Sequence, residues 1–359
     1  MPRTTRLRTL SLALLAGVLF LAAACGSSSG GSSKSATTAA GGGTHAPVTV
    51  RLGYFPNLTH ATAIVGVEKG IFAKDLGTDK LSTKTFADGT AASEAINAGA
   101  IDATYIGSGP AINLFQKSGG KAIKIISGAT SGGAELVVSK DITSAADLKG
   151  KTISDPKLGN TQDVSLRAWL KKQGYTTDTT GGGDVKIAPQ ENSQTLDAFK
   201  AGTIDGAWVP EPWASRLVVE GGGHVLVDER DLFPKGDFPT TVLVVTQKFL
   251  AANPAVVKEL LQGQIDANDY VNANSADSQT TVNTALKALT GKDLKPAVIT
   301  AAWKYLKFTN DPIASALQTA ADNAKDVTLL DSNDIKGITD LDPLNALLKA
   351  KGQPELTGL

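Results

Sequence analysis

Three segments put neutral hydrogen-bond donors where a β-rich run hands over to a helical one: residues 53–60 (GYFPNLTH), 107–110 (GSGP) and 159–163 (GNTQD). A helix starting at such a point offers unpaired N–H groups and the positive end of its dipole, a ready anion site. Ser108, Asn160, Thr161 and Gln162 add neutral side-chain donors there. A fourth polar stretch, Thr130-Ser131-Gly132-Gly133, precedes a strand expected at Glu135. Any one of these loops is explained by ordinary helix capping. Three in one chain, with almost no titratable chemistry beside them, favour binding over catalysis.

The rest of the composition narrows the chemistry. Cys25 is the only cysteine, so a disulfide framework, a cysteine zinc site and a cysteine nucleophile in the folded body are excluded. Three histidines (His45, His60 and His224) argue against a His-rich catalytic metal site, and no metal or cofactor is expected. No motif sets a Ser–His–Asp triad. The strings G-x-S-x-G at 26–30 and G-x-G-x-x-A at 41–46 do not join a strand to a helix, as the nucleophile elbow and the dinucleotide fingerprint require. Basic and acidic residues both number 35, so nothing advertises a nucleic-acid partner.

Aromatic and charged residues refine the pocket. Tyr54 and Phe55 form either an apolar wall for a ligand tail or part of the core. Trp208, ending a strand, faces the cleft in this reading, whereas Trp213 packs inside the helix it begins. His60 either donates to an anion or satisfies the start of its helix. Glu211, in VPEPW, would repel an anion unless the ligand also carries a donor or the carboxylate meets a protein base, with Arg216 as the candidate partner. It therefore either recognises an amino or similar group or locks a closed state. Arg167 follows GNTQD on the same helix, and His224 reads as a turn residue.

Stepping outward, these residues need alternating strands and helices to hold them. Strands are expected near 48–52, 83–86, 101–106, 121–126 and 135–139, with helices ending near Gly70 and spanning 90–98 and 110–117, which implies βαβ units and largely parallel sheets. An echo recurs at a constant offset of 103 residues: AINAGAID at 95–102 and AFKAGTID at 198–205. In each copy a polar cap (Thr90, Ser193) opens a helix, a glycine (Gly99, Gly202) ends it, a strand follows, and a proline (Pro110, Pro212) starts the next helix. Two related lobes account for this. After Thr246 the pattern turns helical, with helices expected at 256–273, 281–289, 296–305, 313–323 and 343–350, packed on one lobe.

The first 24 residues are an address. Arg3, Arg6 and Arg8 precede an apolar run of residues 10–24, in the order of a secretory signal. That run is short for a membrane span. LAAAC at 21–25 resembles the bacterial lipoprotein cleavage box, with Ala22 where leucine is usual. The resemblance implies diacylation of Cys25 and an anchor outside the cytoplasmic membrane; the alternative is a released protein with a free N-terminal thiol. Cleavage removes three basic residues and no acids, for a mature net charge of −3. Residues 25–46 are a Gly/Ser/Thr/Ala tether, of which 20 flexible residues span about 25 Å root-mean-square.

The motifs GYFPNLTHA, AGAIDATYIGSGPAI, GATSGGAELVVSK, ADLKGKTI, LGNTQDVSLRAWLKKQG and AGTIDGAWVPEPWASRLV, in that order, resemble the solute-binding proteins of ABC importers of the aliphatic-sulfonate/nitrate/taurine class, over roughly residues 48–270. The resemblance implies an α/β, two-lobed type II periplasmic-binding-protein-like fold with mixed, largely parallel sheets and an α-rich C-terminal tail. Residues 48–135 with 236–359 would form the first lobe and 136–235 the second. The oxyanion-holding loops would fall on 53–60, 107–110, 130–132 and 159–162. The ligand-binding residues are then Tyr54, Asn57, His60, Gly107, Ser108, Thr130, Ser131, Asn160, Thr161, Gln162, Trp208 and Glu211. The expected function is non-enzymatic: capture of a small oxyanion, an aliphatic sulfonate foremost, by a monomer that delivers it to a permease and its ATPase. Nitrate, taurine or a thiamine-precursor pyrimidine is the alternative cargo, and a secreted hydrolase the rival class.

Overall fold

The structure, a computed structural model, describes residues 45–359. The signal, the cleavage box, Cys25 and nearly all of the tether lie outside the described residues. Along the chain run β1 (Thr49–Tyr54), α1 (Ala61–Glu68), α2 (Ile71–Asp75), β2 (Lys80–Thr85), α3 (Gly89–Asn97), β3 (Ala103–Ile106), α4 (Ser108–Lys117) and β4 (Ile123–Gly132). Next come β5 (Ala134–Val138), β6 (Thr152–Ser154), α5 (Thr161–Lys172), β7 (Lys186–Ile187), α6 (Asn192–Lys200), β8 (Gly206–Pro210), α7 (Trp213–Val219) and β9 (His224–Asp228). The remainder is β10 (Pro239–Thr246), α8 (Gln247–Ala252), α9 (Pro254–Ala273), α10 (Ser275–Thr290), α11 (Pro296–Trp303), β11 (Leu306–Phe308), α12 (Ala314–Asp326) and α13 (Asp342–Ala350).

These strands make two sheets and hence two lobes. The first has the order β11-β4-β10-β3-β1-β2 and the second β7-β6-β8-β5-β9. Each sheet is mixed. Parallel pairing joins β1 to β2 and β3, and β6 to β7 and β8. Antiparallel pairing joins β10 to β3 and β4, β11 to β4, and β5 to β8 and β9. The parallel share is smaller than strand–helix alternation implies, because the strands that leave and re-enter a sheet at the lobe crossings run against their neighbours. β5 joins the second sheet from Ala134, two residues before the lobe boundary expected from the sequence.

The 103-residue echo has a structural counterpart. Asp102 accepts from Arg51 N at 3.0 Å, and its own N–H donates to Arg51 O at 2.8 Å. Asp205 accepts from Thr152 N at 2.8 Å and returns its N–H to Thr152 O at 2.8 Å. Both aspartates thus clasp the start of the neighbouring parallel strand, just after a glycine with left-handed φ (Gly99 65°, Gly202 69°) ends the preceding helix. The helix caps differ from the expected ones. Asp88, not Thr90, caps α3, accepting from Thr90 N and Ala91 N, and α6 starts at Asn192 with Glu191 in the cap position.

Alternation along β10 explains how the first lobe fills two cores. Leu243 and Val245 face the core shared with α1, α9, α10 and α11, while Val242 and Val244 face the one shared with α3, α4 and α12. The helical tail therefore covers both faces of the first sheet. It also returns one short strand, β11, whose three residues are too few for a period to register. Lys171 on α5 reaches Asp326 on α12 at 2.7 Å, so the tail touches the second lobe as well. Among the described residues no helix is long and apolar enough to cross a membrane.

Gly128 in β4 sits where a Cβ would lie 2.1 Å from Asp311 O, a backbone atom with little room to yield. Gly128→Ala is expected to lower unfolding free energy by about 1–3 kcal/mol, read as a lower urea midpoint at unchanged slope.

Candidate functional site

Between the lobes lies a cavity of about 40 Å³, room for about three waters, lined from both sides. Its walls carry the beginnings of four helices: Asp88 and Gly89 of α3, Gly107 and Pro110 of α4, Asn160 to Gln162 of α5, and Asn192 of α6. Phe55, Asn57, Ala87, Pro156 and Pro210 complete the lining. The Asp88 side chain caps α3, but α4, α5 and α6 have no side-chain cap of their own. Three sets of first-turn N–H groups, with their dipoles, thus converge on one small space whose lining contains no Lys, Arg or His. Chemically, this arrangement can hold a negative charge with neutral donors, and it has no nucleophile–base pair.

The lobes touch here. Gly109 N, in the first turn of α4, donates to Thr161 Oγ1 of α5 at 3.0 Å, so one helix is capped by a hydroxyl from the opposite lobe. A Cβ on Gly109 would stand 2.9 Å from Thr161 Cα and N. Trp213 Nε1 donates to Asn57 Oδ1 at 3.0 Å, a second bond across the cleft. The indole is therefore not packed within its own helix as expected from the sequence. Behind α5, Asp163 accepts from Gly159 N at 2.8 Å and from Arg167 Nε at 2.7 Å, and this buried ion pair fixes the GNTQD loop. Arg167 is thus a support for the loop.

A wider pocket of about 430 Å³ adjoins the cavity and shares Asn57, Ala87 and Asn192 with it. Leu196, Trp213, Leu286 and Leu294 give it apolar surface, and the Arg216 guanidinium lies 4.7 Å from the Trp213 ring centre. Arg216 also bonds Glu220 at 3.0 Å rather than the Glu211 partner expected for it.

Of the residues expected to touch solute, Asn57, Gly107, Asn160, Thr161 and Gln162 line the cavity together. Ser108 sits at the first position of α4, fully buried, its hydroxyl without a partner. The others lie elsewhere. Tyr54 belongs to the first-lobe core, while Phe55 is the aromatic at the cavity wall. Thr130 and Ser131 are strand residues of β4: Thr130 Oγ1 donates to Thr59 O at 2.7 Å, and Ser131 Oγ accepts from Phe238 N at 3.1 Å. They brace the first loop and the returning crossing. Trp208 is in the second-lobe core, its indole donating to Glu229 at 3.0 Å. His60 stacks on Phe55 with ring centres 4.4 Å apart and accepts from Phe55 N through Nδ1. Burial pushes its pKa down to about 3, so it is a neutral brace for the loop and carries no cationic charge toward an anion. His224 begins β9 instead of forming a turn.

Glu211 is fully buried and accepts from Ser215 Oγ at 2.7 Å and Ser215 N at 3.1 Å. Burial raises its pKa to about 7. Nearby, Glu135 has no partner for either oxygen, and burial with the neighbouring Glu211 charge holds it well above the usual carboxylate range. Glu229, bonded to Ser165 and Trp208, is raised by burial to about 8.

Comparison with known proteins agrees with this architecture. Residues 43–286 match the NMT1-like family, well over half of the chain. A binding protein of Brucella abortus is 33% identical over 235 residues, 64% of this chain and 69% of the relative. The chain belongs to the NMT1-like family. The taurine-binding periplasmic protein of Escherichia coli is 30% identical over 56% of this chain and 61% of its own length. Among solved structures, the alkanesulfonate-binding protein of Xanthomonas axonopodis bound to MOPS superposes with a TM-score of 0.67 at 22% identity, over 81% of this chain and 96% of its own. The nitrate-binding protein of Synechocystis gives 0.71 at 17%, over 85% and 89%. The type II periplasmic-binding fold expected from the sequence is therefore present, and the taurine-, alkanesulfonate- and nitrate-binding relatives are binding proteins rather than enzymes.

Sequence reasoning missed the α3 and α6 beginnings, Asp88, Gly89 and Asn192, at the cavity. The signal was present: Gly89 and Asn192 are themselves 103 residues apart, the period of the echo.

Two outcomes follow from this geometry. Gly109→Ala meets its obstacle only when the lobes close, so it should keep the thermal midpoint nearly unchanged while enlarging the radius of gyration in small-angle scattering. For Glu229, a raised pKa means the folded state holds a proton that the unfolded state releases above about pH 4.5, so its stabilisation is lost as pH rises toward 8. The urea midpoint of Glu229→Gln should gain steadily on the parent from pH 5 to pH 8. Comparing the two proteins at each pH cancels the opposite trend from His60, whose neutral burial costs stability below pH 6.5.

Proposed function

We propose that this chain is the solute-binding component of an ABC importer and that its cargo is an organic sulfonate. The convergence of the N-termini of α4, α5 and α6, none capped by its own N-cap side chain, on one cavity without basic side chains carries the reading, since it suits a strong-acid oxyanion held by amides. Asn57, Gly107, Ser108, Asn160, Thr161 and Gln162 hold the anionic head. The adjoining 430 Å³ pocket takes the carbon chain, a volume that nitrate would leave unused. That contrast favours a sulfonate with an organic tail over an inorganic ion. The likeness to alkanesulfonate- and taurine-binding proteins supports the same class.

Closure rests on two crossings. Gly132 and Gly133 join β4 to β5 with φ of 76° and 74°, conformations open to glycine. Residues 229–238 return the chain, and Ser131 Oγ ties the two crossings by accepting from Phe238 N. Lobes of 45–132 with 239–359 and of 134–228 then rotate about these links. The protein works as a monomer outside the cytoplasmic membrane, anchored through a lipid on Cys25, and hands its cargo to a permease driven by an ATPase. The arginine-led signal and LAAAC support that address.

A thermal-shift screen tests the cargo. Alkanesulfonates should raise stability by about 2.7 kcal/mol at 100 times their dissociation constant, with longer chains binding more tightly and nitrate giving no shift. Thr161→Val, which removes the cross-cleft acceptor, should weaken every sulfonate by about threefold to tenfold in calorimetry. A nitrate shift without a sulfonate shift would reverse the assignment.

A further inference from the structure

His45 before β1, Asp79 before β2 and Glu259 on α9, none of them in the cavity lining, bring one imidazole and two carboxylates together. His45 Nε2 lies 2.8 Å from Asp79 Oδ2. One donor atom from each of the three falls within 4.8 Å of the others. Asp79 is buried, and its second oxygen accepts from Val48 N at 2.7 Å, which holds the carboxylate in place. Glu259 Oε2 is buried without a hydrogen-bond partner. Two carboxylates held this close repel unless a proton or a cation stands between them. An imidazole beside them supplies a nitrogen donor that hard cations such as magnesium and calcium do not seek, whereas zinc accepts both donor types.

We propose that His45, Asp79 and Glu259 form a binding site for a divalent transition-metal ion, zinc above all, with water completing its coordination. The site has no part in solute capture. It cross-links the segment leading into β1 to the start of β2 and to α9. Each ligand comes from a different stretch of sequence, so metal binding adds to the stability of the first lobe by favouring the folded state.

Zinc chloride alone, titrated by calorimetry into the chelator-treated full chain near pH 7, tests this. One zinc ion per chain should bind, with a rise in thermal midpoint that ethylenediaminetetraacetate reverses. His45→Ala and Glu259→Gln, both partly exposed positions, should each weaken binding at least about tenfold while unfolding cooperatively without metal. Cys25→Ser should bind as the parent does. No zinc binding by the parent overturns the proposal, as does affinity unchanged in His45→Ala and Glu259→Gln or lost in Cys25→Ser. Magnesium binding as tight as zinc would overturn the role given to the imidazole.

Discussion

The arrangement turns on unsatisfied main-chain N–H groups. Helices α4, α5 and α6 start without side-chain caps of their own, and their first turns point into one small space between the lobes. Helix ends left in that condition are costly away from water, so something must meet them. Part of the demand is met by Thr161, whose hydroxyl accepts from Gly109 N across the cleft. A bound oxyanion would meet the remainder. In the proposed function capture and closure are one event, because the donors that would attract a guest are the groups that the two lobes bring face to face.

Around this centre the structure separates charge from recognition. The nearest strong ion pair, Arg167 with Asp163, is buried behind α5 and shapes the loop. His60 is neutral and braces the first loop from beneath. The buried carboxyls Glu135, Glu211 and Glu229 hold their protons more tightly than free glutamates, which limits the negative charge inside the protein. Glu211 in particular accepts from Ser215.

How much of this could be read from the chain depends on range. Local signals were legible: the glycine that ends α3, the GSGP and GNTQD helix starts and the helix expected at 256–273 all produce the expected elements. The echo between 95–102 and 198–205 was legible too, since paired aspartates performing one clasp leave matched letters. Short strands such as β11 and β7 were not, because two or three residues carry no period and their pairing comes from distant partners. Thr130 and Ser131 misled for a physical reason. Small polar residues serve equally well as loop donors and as strand residues whose hydroxyls tie neighbouring segments, and only tertiary contacts decide. Trp208 and Trp213 exchanged their expected places likewise, one satisfied by a buried carboxyl and the other by Asn57.

The Trp213–Asn57 bond gives the molecule an optical gauge. Of the four tryptophans, Trp169 and Trp208 pack edge to face within the second lobe and Trp303 leans on Phe308 in the first, so their surroundings travel with their own lobe. Trp213 has its indole N–H fastened to the opposite lobe. Parting the lobes would hand that N–H to water, so a red shift of emission would report their separation without any attached dye.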